Sequence, residues 1–358
     1  MSKKFISFLQ QTAPQVEQEL VSFIQQQPVK AQTIAWDIIE QMSSFAPAGK
    51  KARGSLAIMA FTMFSDEKTQ KKYQKEAMKL AVALELNQAA ILSQDDIMDR
   101  DLMRRGLKST YAQYQEYGQE AGASDPLHYG VSQAICTSDL FLYWAEYLLA
   151  SLEVEPKIRQ QIQQIFIENI IKTIWGQIDD VHLAMTPADG EIEDILGIYQ
   201  HKTAGYTLIN PLVCGALLAG VKDQRLQALQ EFAKNLGIVF QIRDDGLSLL
   251  GDQTKTGKKL GNDISEDKQT LYRYFLFDSA DKDDLKKLKK IFGQEEILPA
   301  ELALVQALIK KYKVEEKVNK VVDEHVTEMN QALAQLKLSG EAEDLMQSLI
   351  KFIIKREK

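Results

Sequence analysis

Apolar residues recur at three- and four-residue spacing through most of the chain, and the strict alternation of a half-buried strand is nearly absent. Four stretches carry the pattern furthest: AMKLAVALELNQAAILSQDDIMD at 77–99, YGVSQAICTSDLFLYWAEYLLASL at 129–152, IRQQIQQIFIENIIKTIWGQIDDV at 158–181 and RLQALQEFAKNLGIVFQIRDDGLSLL at 225–250. Each predicts a long helix. Each is apolar on more than one side, as in helices that sit among other helices of a bundle. A fifth stretch, TAGYTLINPLVCGALLAGV from Thr203 to Val221, carries no charge. Asn210, Pro211 and three glycines interrupt it, so its apolar run falls short of the roughly 20 residues of a spanning helix. It predicts a fully buried helix of a helical core, and no transmembrane segment.

The breaks between these stretches are local. GQEAGASDP at 118–126, TPADG at 186–190 and the glycine- and lysine-rich GDQTKTGKKLGND at 251–263 predict loops. None is long or biased enough to be an interdomain linker, so one domain over 1–358 is expected. No repeat of 20–50 residues is present, but QDDIMD at 94–99 is echoed by RDDGLS at 243–248. The last third, with KKLKK and KKYKVEEKVNK, reads as amphipathic peripheral helices with solvated charged faces.

Charge and cysteine content narrow the function classes. A net charge of -7 argues against a general nucleic-acid binder, which needs a basic face. Cys136 and Cys214 are the only cysteines and form no metal or redox signature, so a reduced, cytoplasmic protein is expected. The N-terminal MSKKFISFLQ has too short an apolar run for a signal-peptide core.

The acids carry the first chemical signal. Asp95 and Asp99 lie four apart on a predicted helix and share a face. Together with Asp96 they end an apolar run rather than a solvated one. Two carboxylates at that spacing repel unless a cation sits between them, and Mg²⁺ suits such oxygen donors when phosphates complete its shell. Asp244 and Asp245 end a second apolar run, and no His or Cys set has zinc spacing. Two helices ending in Asp-Asp can share a metal site that binds a polyphosphate. Candidate phosphate ligands are Arg104 and Arg105, one turn past Asp99; Lys50, Lys51 and Arg53 in AGKKARG; Lys202 in HKTAG; and Lys258 in KTGKKLG.

Taken in order, these segments resemble the trans-type (head-to-tail) isoprenyl diphosphate synthases, the polyprenyl synthetase family. ELNQAAILSQDDIMDRDLMRRG resembles that family's first aspartate-rich motif with its arginine pair, and FQIRDDGLSLLGD the second. AGKKARG resembles its N-terminal basic motif, HKTAG its Lys-Thr motif, WGQIDD its Gly-Gln-x-x-Asp motif and TGKKLGNDISEDKQTL its loop after the second aspartate motif. The ordered set spans residues 49 to 271 and the resemblance covers essentially the whole chain. It implies an all-α fold, a bundle of long antiparallel helices around a central active-site cavity, working as a homodimer. It also implies a reaction: an allylic diphosphate loses pyrophosphate, isopentenyl diphosphate attacks the cation, and a proton is lost. By motif, Asp95, Asp99 and Asp244 would hold Mg²⁺, three ions per site, with Asp96 in the same motif. Arg104, Lys202 and Lys258 would hold the allylic diphosphate, and Lys50, Arg53, Gln88 and Arg105 the isopentenyl diphosphate. Thr203 and Gln241 would lie near the developing cation.

The departures matter. The second motif ends in Ser248 where the family usually has Asp, Gln88 stands where many members have His, and Gly54 replaces the usual proline. Chain length in this family depends on residues just before the first motif; here these are Ala90 and Ile91. The small Ala90 would leave room for a product of geranylgeranyl length or longer, unless it only packs a neighbouring helix and another side chain closes the tunnel. Two other readings compete: a same-fold enzyme that prenylates a peptide pheromone, and a low-activity subunit of a heteromeric synthase. The intact Lys50, Arg53 and Arg105 set speaks against the first. Ser248 speaks for the second, and the intact Asp95, Asp96, Asp99 and Arg104 against it.

Overall fold

The computed structural model describes residues 3–27, 45–46, 49–104, 106–186, 189–251 and 260–355. Nearly all are helical, as the periodicity predicts. In chain order the elements are α1 (Lys3–Gln26), α2 (Ala52–Phe64), α3 (Glu67–Met98), a hairpin of β1 (Met103–Arg104) and β2 (Leu107–Lys108), α4 (Thr110–Glu120), α5 (Pro126–Ala150) and α6 (Pro156–Met185). Then come α7 (Ile192–Ile198), a wide π-helical segment (Tyr199–Ile209), α8 (Asn210–Leu218) and α9 (Asp223–Leu250). Six helices follow: α10 (Asn262–Ser265), α11 (Leu271–Ser279), α12 (Lys282–Ile291), α13 (Pro299–Lys311), α14 (Val314–Gln335) and α15 (Gly340–Ile354). No described helix is long and apolar enough to cross a membrane.

The chain clusters into two compact units. One holds residues 6–167 and 210–222. Its centre is α3, which packs on α2 and α5, with α8 against α2. The start of α3 is set by Asp66, whose side chain accepts the amide of Thr69 at 2.8 Å and satisfies a donor the helix leaves open. Leu80, Ala83, Leu84 and Leu86 of α3 are fully buried or nearly so, as are Phe141 and Leu149 of α5. Burying each of these leucine and phenylalanine side chains stabilises the unit by roughly 1.5–3 kcal/mol. The exposed β1–β2 hairpin, Met103 opposite Lys108, is too short to show as alternation in the sequence.

The other unit holds residues 1–5, 168–209 and 223–358. Here α9 is the axis, packed on the π-helical segment and on α14. Phe232, Leu236, Val239 and Ile242 of α9 are buried. The uncharged stretch 203–221 is buried apart from Tyr206, Ala219 and Gly220, but it is not one regular helix: the π-helical turns run to Ile209 before α8 begins. Wide π turns are rare and concentrate at functional positions. This one carries Lys202 and Thr203.

Candidate active site

In the first unit three acidic candidates and Arg104 meet where α3 ends. Asp95 and Asp96 lie in its last turn, and Asp99 caps it with its backbone N–H on the carbonyl of Asp95. Asp95 and Asp99 are half-buried, whereas Asp96 is 0% exposed. The hairpin returns Arg104 to these acids. Its Nε donates to Asp96 Oδ1 at 2.5 Å, and Nη2 reaches Asp101 at 3.1 Å and Asp95 at 3.4 Å. Burial pushes the Asp96 carboxyl up to about 7, and the neighbouring Arg104 charge only partly offsets that. Burial also opposes the charge of Arg104, but Asp96 and Asp95 more than offset it and its pKa rises. Asp101 was not singled out by the sequence reading.

The basic motif divides by residue. Lys50 is exposed and Arg53 half-buried. Lys51 is 2% exposed; its Nζ donates to Ala46 O at 3.1 Å and lies 4.0 Å from Glu85. The buried Glu85 also accepts the amide of Gly54 at 2.8 Å. A Cβ on Gly54 would stand 2.8 Å from Val16 and 3.0 Å from the carbonyl of Ala81, which explains glycine at this position. Gln88 is buried, and its Oε1 has no hydrogen-bond partner among the described residues. With Glu85, Leu92, Arg104 and Phe45 it lines a small pocket. An orphaned buried acceptor is costly, and at a pocket wall it suits a ligand that supplies a donor. Ala90 is 3% exposed, with its carbonyl accepting from Ser138 of α5 at 3.0 Å; Ile91 is half-buried. Arg105 lies outside the described residues, as does Lys258.

In the second unit Lys202 Nζ donates to Asp180 of α6 at 2.5 Å. Gly176, one turn earlier on α6, lets the π-helical backbone come close: a Cβ there would lie 2.6 Å from the amide nitrogen of Lys202. This gives the WGQIDD segment a physical role, since its glycine admits Lys202 and its aspartate pairs with it. Thr203 Oγ1 donates to Gln241 Oε1 at 2.8 Å, and Gln241 Nε2 donates to Asp245 Oδ1 at 2.7 Å. Tyr199 donates to the other Asp245 oxygen and accepts the amide of Leu271 at 3.0 Å. Burial, then the nearby Asp263 charge, lifts Asp245 to about 8, with the bonds from Tyr199 and Gln241 pulling it back. Asp244 is half-buried. Ser248 Oγ donates to Asp263 Oδ2 at 2.5 Å.

Both aspartate pairs therefore split the same way: Asp95 and Asp244 are half-buried, Asp96 and Asp245 buried. Helical register carries the signal for this. Asp96 continues the buried row Leu86, Ala89, Ser93, and Asp245 the buried row Ile238, Ile242, Leu249. Tyr199 was missed and leaves no such trace.

The donors fit a hard divalent cation. Asp95, Asp99 and Asp244 offer oxygen only, and Asp96 Oδ2 is buried with no hydrogen-bond partner among the described residues. Among those residues no group of three or more His, Cys, Asp or Glu side chains is placed to hold a metal ion. Mg²⁺ needs none, because it keeps waters and takes phosphate oxygens.

Comparison with known proteins agrees with this geometry. The polyprenyl synthetase family model matches residues 37–311. The short chain isoprenyl diphosphate synthase of Methanocaldococcus jannaschii is 30% identical over 254 residues, covering 71% of this chain and 70% of that protein. The geranylgeranyl diphosphate synthase of Sulfolobus acidocaldarius is 28% identical over 321 residues, 88% of this chain and 89% of that one. Among solved structures, the geranylgeranyl pyrophosphate synthase of Corynebacterium glutamicum, complexed with isoprenyl diphosphate and magnesium, superposes with a TM-score of 0.88 at 25% identity, covering 98% of this chain and 99% of that chain. The chain belongs to the polyprenyl synthetase family and is a trans-prenyltransferase.

Proposed function

We propose that this trans-prenyltransferase elongates a prenyl chain, joining isopentenyl diphosphate to an allylic diphosphate of geranyl or farnesyl type in a Mg²⁺-dependent reaction. The product is of geranylgeranyl length or longer. The observation that carries the reading is the repeated split of the aspartate pairs, a half-buried carboxylate beside a buried one, each with a cation nearby in sequence or space. Asp95, Asp99 and Asp244 are assigned to Mg²⁺, three ions per site, which when bound supply the positive charge that stabilises departing pyrophosphate. Arg104, Lys202 and Lys258 hold the allylic diphosphate. Lys50, Arg53, Gln88 and Arg105 hold the isopentenyl diphosphate; the small pocket that Gln88 lines with Arg104 supports a ligand there. Thr203 and Gln241 lie beside the carbon that becomes positive. Its C–O bond breaks with both electrons going to pyrophosphate, which then takes the proton lost after carbon–carbon bond formation.

The whole chain acts as one catalytic domain and as a cytoplasmic homodimer. Exposed apolar side chains on α6, Trp175 at 60% and Ile174 at 53%, support a partner surface. The small size of Ala90 supports the longer product, because an aromatic side chain at that position would take up volume that alanine does not.

The assignment is tested by splitting the two Michaelis constants. Arg53→Ala is expected to raise KM for isopentenyl diphosphate about tenfold or more and leave that for the allylic substrate. Lys202→Ala is expected to do the reverse. Equal effects of both variants on both substrates would overturn the division.

A further inference from the structure

The polar groups around Gln241 form one directed chain, and the backbone fixes its direction at one end. The amide N–H of Leu271 donates to the Tyr199 oxygen at 3.0 Å, so the one proton of that phenol is available to go elsewhere. It goes to Asp245 Oδ2. The other carboxylate oxygen, Oδ1, accepts Gln241 Nε2 at 2.7 Å. The carbonyl end of Gln241 must then point the other way, where it accepts Thr203 Oγ1 at 2.8 Å. A backbone N–H cannot accept and an ionised carboxylate cannot donate, so with Asp245 ionised no link reverses without losing a bond. Tyr199, Thr203 and Asp245 are all buried, so each lost bond is expensive.

We infer that Asp245 is a positioning residue: it sets the amide polarity of Gln241 and so presents a carbonyl oxygen, rather than an NH₂ group, on the side of Thr203. This rests on the proposed function, in which positive charge develops beside Thr203 and Gln241. An oxygen held there before reaction attracts that charge without reorganising; an NH₂ group repels it. Asp245 would thus act through Gln241, without touching substrate. The parallel with Asp96, buried and bonded to Arg104, is that the second aspartate of each pair aims a neighbour.

The test is a polarity inversion. Asn is nearly isosteric with Asp. In Asp245→Asn the amide oxygen must face Tyr199, because Tyr199 still donates. Its NH₂ then faces Gln241, which has to rotate and place its own NH₂ toward Thr203. The expected result is a loss of about 10²-fold in kcat. KM for either diphosphate should change by less than about threefold. Adding Gln241→Glu returns an acceptor oxygen to the Thr203 side, since the introduced carboxylate accepts both from Thr203 and from the new side-chain amide at position 245. The double variant is expected to recover at least about tenfold of the lost kcat. Wild-type kcat in Asp245→Asn, or a double variant no better than the single one, would overturn the inference. If circular dichroism shows that Asp245→Asn does not fold, Tyr199→Phe replaces it. That change keeps the carboxylate and removes one anchor; a several-fold lower kcat at constant KM supports the inference, and an unchanged kcat overturns it. Wild type is assayed first. Absence of elongation there defeats the proposed function itself, whereas an active wild type with indifferent variants defeats only the role of Asp245.

Discussion

Gly176→Ala places a single methyl group where α6 meets the backbone that carries Lys202. The added carbon would stand 2.6 Å from the Lys202 amide nitrogen and 3.0 Å from the His201 Cβ. Ordinary contact is about 3.5 Å, so the π-helical turn must retreat by about 0.9 Å. Overpacking of this size costs about 1–3 kcal/mol. Alanine in place of glycine inside a helix returns about 1 kcal/mol. The net loss of stability is therefore about 0–2 kcal/mol, a melting shift of a few degrees. The kinetic effect is expected to be larger, because a misplacement near 1 Å can cost about 10²-fold. Lys202 is also drawn from its 2.5 Å bond to Asp180. Initial rates with varied allylic diphosphate, alongside thermal melting, measure both quantities. A variant with kcat/KM within about twofold of wild type would refute the close-approach argument. So would a loss of activity fully explained by unfolding at the assay temperature.

Three further outcomes follow from the same geometry. Ala90→Phe should shorten the product, read by chain-length chromatography; an unchanged product would remove Ala90 from the chain-length assignment. Ser248→Asp replaces a hydroxyl donor 2.5 Å from Asp263 with a second carboxylate, so the metal-free protein should lose about 2 kcal/mol in denaturant unfolding, regained with Mg²⁺. A metal-free variant as stable as wild type would refute that reading. Burial holds Asp96 at about 7 in the fold against 3.8 unfolded, so the native state binds the extra proton between those values. That contribution, on the order of 4 kcal/mol, is fully present below pH 3.8 and is lost as pH rises through 7. Asp96→Asn should remove this slope from metal-free unfolding curves at pH 5 and 8, and an identical slope in the variant would contradict it.

Much of this was legible in the chain. The long helices declared themselves because α3, α5, α6 and α9 are core elements, and burial on several sides forces apolar residues at helical spacing. The aspartates, arginines and lysines stood out for the opposite reason, as charges placed at the ends of apolar runs. The β1–β2 hairpin did not show, since its two-residue strands leave Met103 and Leu107 exposed and bury no face. The π-helical turns did not show either; they pack closely on Gly176, a glycine on another helix. Which aspartate of each pair turns inward could have been read from register, because Asp96 falls on the row of Ala89 and Ser93. What no local pattern reveals is the partner across sequence: Tyr199 for Asp245, Asp180 for Lys202, Asp263 for Ser248.

The central claim is that this chain, by itself, lengthens a prenyl diphosphate. The most direct measurement incubates the purified protein alone with radiolabelled isopentenyl diphosphate, farnesyl diphosphate and Mg²⁺, then separates the products by chain length. Labelled product longer than farnesyl is expected, formed only when both substrates and the metal are present. Label that remains in isopentenyl diphosphate under those conditions would contradict it.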